Sequence, residues 1–221
     1  LLFYLLNVFL LEKRIKTNQS IQLISFFCTY IEHQKYTTQM NNALGRKRLE
    51  REHKNMCESP PDGVIAGLIK EDNPYQWEAL ILGPDDTPFE GGCFRAVLDF
   101  PRTYPMNPPT MRFTTPMWHP NIYKDGKVCI SILHAPGHDP TGYDNIEEQW
   151  SPMQSTEKII LSVMSMLADP NDESPANVDA AKMWRTNKAE YLERVKSTVR
   201  QSLGLESSTT EPVPLLRAST V

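Results

Sequence analysis

VIAGLIKEDNPYQWEALILGPDDTPFEGGCFRAVLDF, residues 64–100, decides the fold. It holds three apolar runs, VIAGLI (Val64 to Ile69), QWEALIL (Gln76 to Leu82) and CFRAVLDF (Cys93 to Phe100). Turn-forming segments separate them, Gly83-Pro84-Asp85-Asp86 and Glu90-Gly91-Gly92 among them. MRFT (Met111 to Thr114) follows Pro108-Pro109 as a fourth run. Short strands at close intervals with no long helix between them predict an antiparallel meander, since parallel neighbours need a long crossover.

Upstream, ALGRKRLEREHKNM (Ala43 to Met56) is free of Pro and carries five basic residues against two acidic ones. It predicts a surface helix ended by Pro60-Pro61. Downstream, His119 to Trp150 is poor in periodicity, rich in Gly, Pro, Asp and His, and too long for an ordinary connector. Loops of that kind usually carry function. TEKIILSVMSMLA after Ser151-Pro152 shows the broad apolar stripe of a mostly buried helix, from Ile159, Ile160, Val163, Met164, Met166 and Leu167. Two more helices are predicted around Val178 to Thr186 and Lys188 to Leu203, with Gly204 just past the last. The fold class is therefore α+β: an N-terminal helix, a four-stranded antiparallel meander, a long active-site loop and C-terminal helices.

The chain has 221 residues, 40% hydrophobic and 23% charged, which suits one globular domain plus some extra length. A formal charge of −4 leaves no basic field suited to a nucleic-acid backbone. Eighteen prolines against ten glycines argue against an all-helical bundle. The four cysteines form no CxxC pair and have no nearby cluster of His, so neither a structural metal site nor a disulfide framework is expected. No phosphate-binding glycine motif is present. LLFYLLNVFLL (Leu1 to Leu11) is far shorter than the roughly 20 residues of a membrane-spanning helix. It also lacks the preceding basic residues of a signal peptide. Residues 21–31 have the composition of a peripheral membrane anchor. The preferred reading places residues 1–39 outside the folded unit, a core domain over 40–205 and a loose tail over 206–221.

The chemistry concentrates in His119-Pro120-Asn121-Ile122-Tyr123, Lys124-Asp125-Gly126-Lys127 and Val128-Cys129-Ile130-Ser131-Ile132-Leu133. A cysteine in an apolar run is more often a small buried hydrophobe than a nucleophile. Cys129, however, ends a turn-rich excursion inside the long loop, eight residues after Asn121, whose carboxamide can donate to a developing oxyanion. A hydrolase needs a base beside the thiol and a third group to orient it. His119 is at least as well suited to bracing its turn, and His134 and His138 stand in no protease motif.

HPNIY with the following VCISIL, TYPMNPPTMRF (Thr103 to Phe113) and WSP before the apolar helix resemble the ubiquitin-conjugating enzymes, from about Ala43 to Leu205. LHAPGHDPTGYDNIEEQWSP and ADPNDESPANVDAAKMW are similar to the acidic-loop subclass that serves degradation at the endoplasmic reticulum. The resemblance implies an acyltransferase that holds ubiquitin as a thioester on Cys129. Asn121 would then stabilise the oxyanion or the nearby loop. His134, Asp139 and the carboxylates Asp144, Glu147 and Glu148 would prepare an incoming lysine. The subclass's paired aspartates appear here as His138-Asp139, and Ser174 stands where relatives carry a lysine-orienting residue. Phe113, Ser151, Pro152 and Met153 match the loops that take a RING-type ligase, and Lys47 and Arg48 the helix face that approaches the activating enzyme; the competing reading makes Phe113 ordinary core and the helix charges a solvated face. The implied partners are ubiquitin, the activating enzyme, a RING-type ligase and protein substrates, but no nucleic acid. No metal or cofactor is expected, ATP being used by the activating enzyme. The implied location is the cytoplasm, at the cytosolic face of the endoplasmic reticulum. The rival reading is a non-catalytic ubiquitin- or ligase-binding module of the same fold.

Overall fold

The computed structural model describes residues 43–135 and 148–205. The chain divides into two units, Leu1–Leu44 and Gly45–Val221, and the second holds the fold described here. Helix α1 covers residues 43–58, and Pro60-Pro61 follows its end as expected. The strands are β1 (Val64–Lys70), β2 (Asn73–Leu82), β3 (Cys93–Asp99) and β4 (Thr110–Phe113). They form one antiparallel sheet in the order β1-β2-β3-β4, the expected meander. A 3-10 turn, Ser131–Leu133, precedes helices α2 (Thr156–Ala168), α3 (Val178–Thr186) and α4 (Lys188–Ser202).

Period-two alternation puts one set of side chains on the inner face of the sheet. Trp77, Ala79 and Ile81 of β2 face Leu98, Ala96 and Phe94 of β3, and all six are buried. In β4, Phe113 pairs with Ala96 and Met111 with Leu98, which brings both into the same layer. The α2 stripe joins this core through Ile159, Ile160, Val163, Met166 and Leu167. Each such side chain contributes roughly 1.5–3 kcal/mol by leaving water. Ser155 caps α2 by accepting from the Lys158 amide. Past α4, Gly204 has φ +69°, and the Gly204 and Leu205 amides donate back to Gln201 and Arg200. That positive-φ reversal ends the helix where a glycine costs least.

The buried Glu52 of α1 joins that helix to two further elements, the Tyr104 loop and the start of α2. Its carboxylate accepts from the Tyr104 hydroxyl at 2.8 Å, from the Arg48 guanidinium at 2.7 Å and from the Thr156 hydroxyl at 2.6 Å. Burial, then the adjacent carboxylate, raises the pKa of Tyr104, so the hydroxyl stays a donor. Arg48 also donates to the carbonyls of Pro152 and Gln154. No described helix is long and apolar enough to cross a membrane.

Candidate active site

Over its described residues, the loop that begins at His119 is less irregular than its composition predicts, because its apolar residues are pinned to the core. Ile122, Val128, Ile132 and Trp150 are all buried. Ile122 bridges Val128, and the Val128 amide donates to the Met111 carbonyl of β4. Between them the chain turns through Tyr123–Lys127. The Gly126 amide donates to Tyr123, the Tyr123 amide to Lys127, and the Lys127 amide to the Asp125 side chain at 3.0 Å. Gly126 sits at φ +87°, and a Cβ there would meet the Phe113 carbonyl oxygen at 2.1 Å. The Phe113 amide in turn donates to the Gly126 carbonyl, and the Arg112 guanidinium of β4 donates to the Asp125 carbonyl at 2.6 Å and pairs with its carboxylate, so β4 holds the turn through backbone and side chain.

Cys129 leaves this turn with its amide bonded to the Asn121 carbonyl at 3.0 Å and its side chain half-buried. Its Sγ lies 3.6 Å from Nε2 of His134 and 3.9 Å from the Tyr123 hydroxyl, which donates to it. The negative charge of a Cys129 thiolate, followed by that hydrogen bond, raises the Tyr123 pKa, which keeps a donor facing the sulfur. His134 is held by two backbone bonds, its amide donating to Ser131 and its carbonyl accepting from Trp150 at 3.0 Å.

Asn121 is 3% exposed and its carboxamide is engaged. Its Nδ2 donates to the Asn171 carbonyl at 2.6 Å, and its Oδ1 accepts from the Asn171 amide at 2.9 Å. Of the two roles the resemblance implies, this geometry is that of a brace on the loop between α2 and α3. His119, fully buried, accepts from the Asn121 amide at Nδ1 and contacts the Met166 carbonyl through Nε2 at 2.9 Å. Its Nδ1 is therefore the unprotonated nitrogen and Nε2 the donor. Burial lowers its pKa to about 4, which suits a neutral brace. Ser174 stands half-buried on the loop that Asn121 holds. Glu148 is exposed, whereas His138, Asp139, Asp144 and Glu147 lie outside the described residues. Among the described residues no group of three His, Cys, Asp or Glu side chains is placed to hold a metal ion.

Two of the outer residues expected at contact surfaces are turned inward. Phe113, expected from the resemblance as a ligase contact, is 2% exposed and belongs to the core, because its strand register turns it inward. The exposed apolar side chains nearby are instead Met106, 64% exposed, and Met153, 90% exposed. Their loops are tied together by the Trp150 indole, which donates to the Pro105 carbonyl at 2.8 Å. Ser151 and Pro152 are half-buried beside Met153. Lys47 is exposed as expected, but Arg48 is turned inward to Glu52 and the Pro152 and Gln154 carbonyls. Glu52 and Met106 carried no one-dimensional signal. Glu52 is one charge among many on α1, and Met106 is one apolar residue in a proline-rich run.

The family model described as "Ubiquitin-conjugating enzyme" matches residues 48–199. The chain is 60% identical over 159 residues to "Ubiquitin-conjugating enzyme E2 G2" of Homo sapiens, covering 72% of this chain and 96% of that protein. It is 56% identical over 166 residues to "Ubiquitin-conjugating enzyme E2-18 kDa" of Schizosaccharomyces pombe, covering 75% and 100%. It is 55% identical over 163 residues to "Ubiquitin-conjugating enzyme E2 14" of Arabidopsis thaliana, covering 74% and 98%.

Proposed function

The chain belongs to the ubiquitin-conjugating enzyme family, and on that premise we propose that Cys129 is the residue on which it carries ubiquitin as a thioester. The observation that carries this reading is the half-buried Cys129 Sγ, set between His134 at 3.6 Å and the Tyr123 hydroxyl at 3.9 Å. In loading, the Cys129 sulfur displaces the activating enzyme's thiol from the C-terminal carbonyl of ubiquitin. In discharge, a neutral lysine amine attacks that carbonyl, an amide bond forms, and the Cys129 thiolate leaves. A thioester keeps acyl-transfer potential yet resists water when no strong base activates it. His134 is placed to take the proton that the lysine ammonium must lose, and Tyr123 to donate to the departing thiolate. Asn121 acts by holding the Asn171 loop, and with it Ser174, in place.

The partner at the Met106 and Met153 surface is a RING-type ligase, since this is an exposed apolar pair on two loops joined through Trp150. Lys47 faces the activating enzyme from α1. The acidic insertion that includes Asp139, and the likeness to the subclass named above, support work in degradation at the cytosolic face of the endoplasmic reticulum.

The test is a non-reducing gel after incubation with ubiquitin, its activating enzyme and ATP. A thiol-sensitive adduct is expected, absent in Cys129→Ala and replaced by a thiol-resistant oxyester in Cys129→Ser. An adduct that survives in Cys129→Ala would place the acceptor elsewhere.

A further inference from the structure

Lys127, Val128 and Cys129 leave the turn as one segment whose backbone is held at every residue. Lys127 bridges Arg112 and Val128 bridges Ile122, both antiparallel. The Lys127 amide donates to the Asp125 side chain and its carbonyl accepts from Tyr123, while the Val128 amide donates to Met111 and the Cys129 amide to Asn121. Val128 is 3% exposed and belongs to the core. Side chains alternate along an extended backbone, so the two residues that flank Val128 share the opposite, outward face. Lys127 is exposed and Cys129 half-buried, in keeping with that parity. At about 3.3 Å per residue, their Cα atoms lie roughly 6.6 Å apart, a gap that the four methylenes of a lysine span. No ion pair among the described residues diverts the Lys127 ammonium: Asp125 of the same turn pairs with Arg112 at 2.6 Å, and Asp179 of α3 pairs with Lys124 at 2.7 Å. Lys124, the other lysine of the turn, is thereby directed to α3.

We propose that Lys127 is a self-modification site, which takes ubiquitin from the Cys129 thioester of its own chain and holds it as an amide. The proposal rests on the reading that Cys129 carries ubiquitin. The Lys127 ammonium gives one proton to water, and the neutral amine attacks the thioester carbonyl. A C–N bond forms as the C–S bond breaks. Of the two remaining hydrogens, one stays on the amide nitrogen and the other ends on the Cys129 sulfur. Both residues sit on one fixed segment, so the transfer is intramolecular and gains from proximity. Thiols do not exchange an amide, so ubiquitin is left beside the emptied Cys129 and obstructs the next loading. The transfer competes with delivery to a substrate and prevails when loaded enzyme waits without an acceptor.

The experiment loads the full chain with ubiquitin whose own lysines are replaced by arginine, so that no ubiquitin chain can form. Activation is then stopped by removing ATP, and the loaded protein is followed with no acceptor added. In wild type the thioester should give way to a single thiol-resistant adduct, with a rate constant unchanged by dilution. Tryptic mapping should find the two-glycine remnant of ubiquitin on Lys127. Lys127→Arg should cut the adduct, measured per thioester formed, by about tenfold or more, and its thioester should outlive the wild-type one. Lys124→Arg should keep the adduct. Dilution and mapping are read on wild type, so they decide even where a variant loads poorly. A rate that falls on dilution, a remnant mainly on another lysine, or a thioester that decays to free ubiquitin alone overturns the site and leaves the Cys129 assignment standing. A wild-type chain that forms no thioester removes that assignment, and the self-modification falls with it.

Discussion

His119 and Asn121 show how two polar side chains serve this site without touching the sulfur. Protonating His119 would place a second hydrogen on Nδ1, where the Asn121 amide already donates. Its pKa is held at about 4 by burial, below the ordinary 6.5. An unfolded chain therefore binds this proton first as pH falls. The contribution to stability is complete above about pH 6.5 and is lost progressively towards pH 4, to the extent of about 3 kcal/mol. Urea denaturation should accordingly show a smaller drop between these pH values in His119→Gln than in wild type. A variant whose pH dependence matches wild type would assign the acid sensitivity to other groups. Asn121→Ala removes two part-buried hydrogen bonds to the Asn171 backbone. A stability loss of about 2–3 kcal/mol is expected in denaturant titration. If Asn121 instead served mainly as an oxyanion donor, the loss would appear in the discharge rate with little change in stability.

At the scale of elements, the Tyr123–Lys127 turn carries the hydroxyl that reaches the thiol, and its backbone lock is Gly126. Gly126→Ala must adopt a strained positive φ and push aside a strand carbonyl. Thermal unfolding should report a loss of about 2 kcal/mol or more, and thioester formation should slow because the Asn121–Cys129 backbone pairing shifts with the turn. Near-wild-type values for both would show that the β4 contact is easily rearranged. The α2 boundaries were legible from residues alone, since Ser155 stands before a clear helical stripe over Thr156–Ala168. Phe113 was not. A four-residue strand alternates, but its parity relative to the core is set by pairing with Ala96 and Leu98, which lie far away in sequence.

For the molecule as a whole, Glu52 connects α1, the Tyr104 loop and the start of α2, while Arg48 adds the Pro152–Gln154 loop. The loops that carry Met106 and Met153 are thereby anchored to the helix that presents Lys47. Met106→Glu and Met153→Glu place a charge on an exposed apolar surface and remove nothing from the core. Ligase-stimulated discharge should fall about tenfold or more for a residue central to binding, with loading by the activating enzyme little changed. Full ligase response in both variants would move the ligase surface elsewhere. The α+β order, the meander, the helix ends and the identity of Cys129 and Asn121 as the residues to watch were all present in the sequence, because periodicity, turn chemistry and motif spacing are local properties of the chain. Tertiary structure alone decided that Phe113 faces inward, that Met106 and Met153 face out, that Asn121 grips Asn171, and that Tyr123 and His134 meet at the Cys129 sulfur. Each of these depends on which backbone or side chain arrives next to a given group in space, and that is settled by packing.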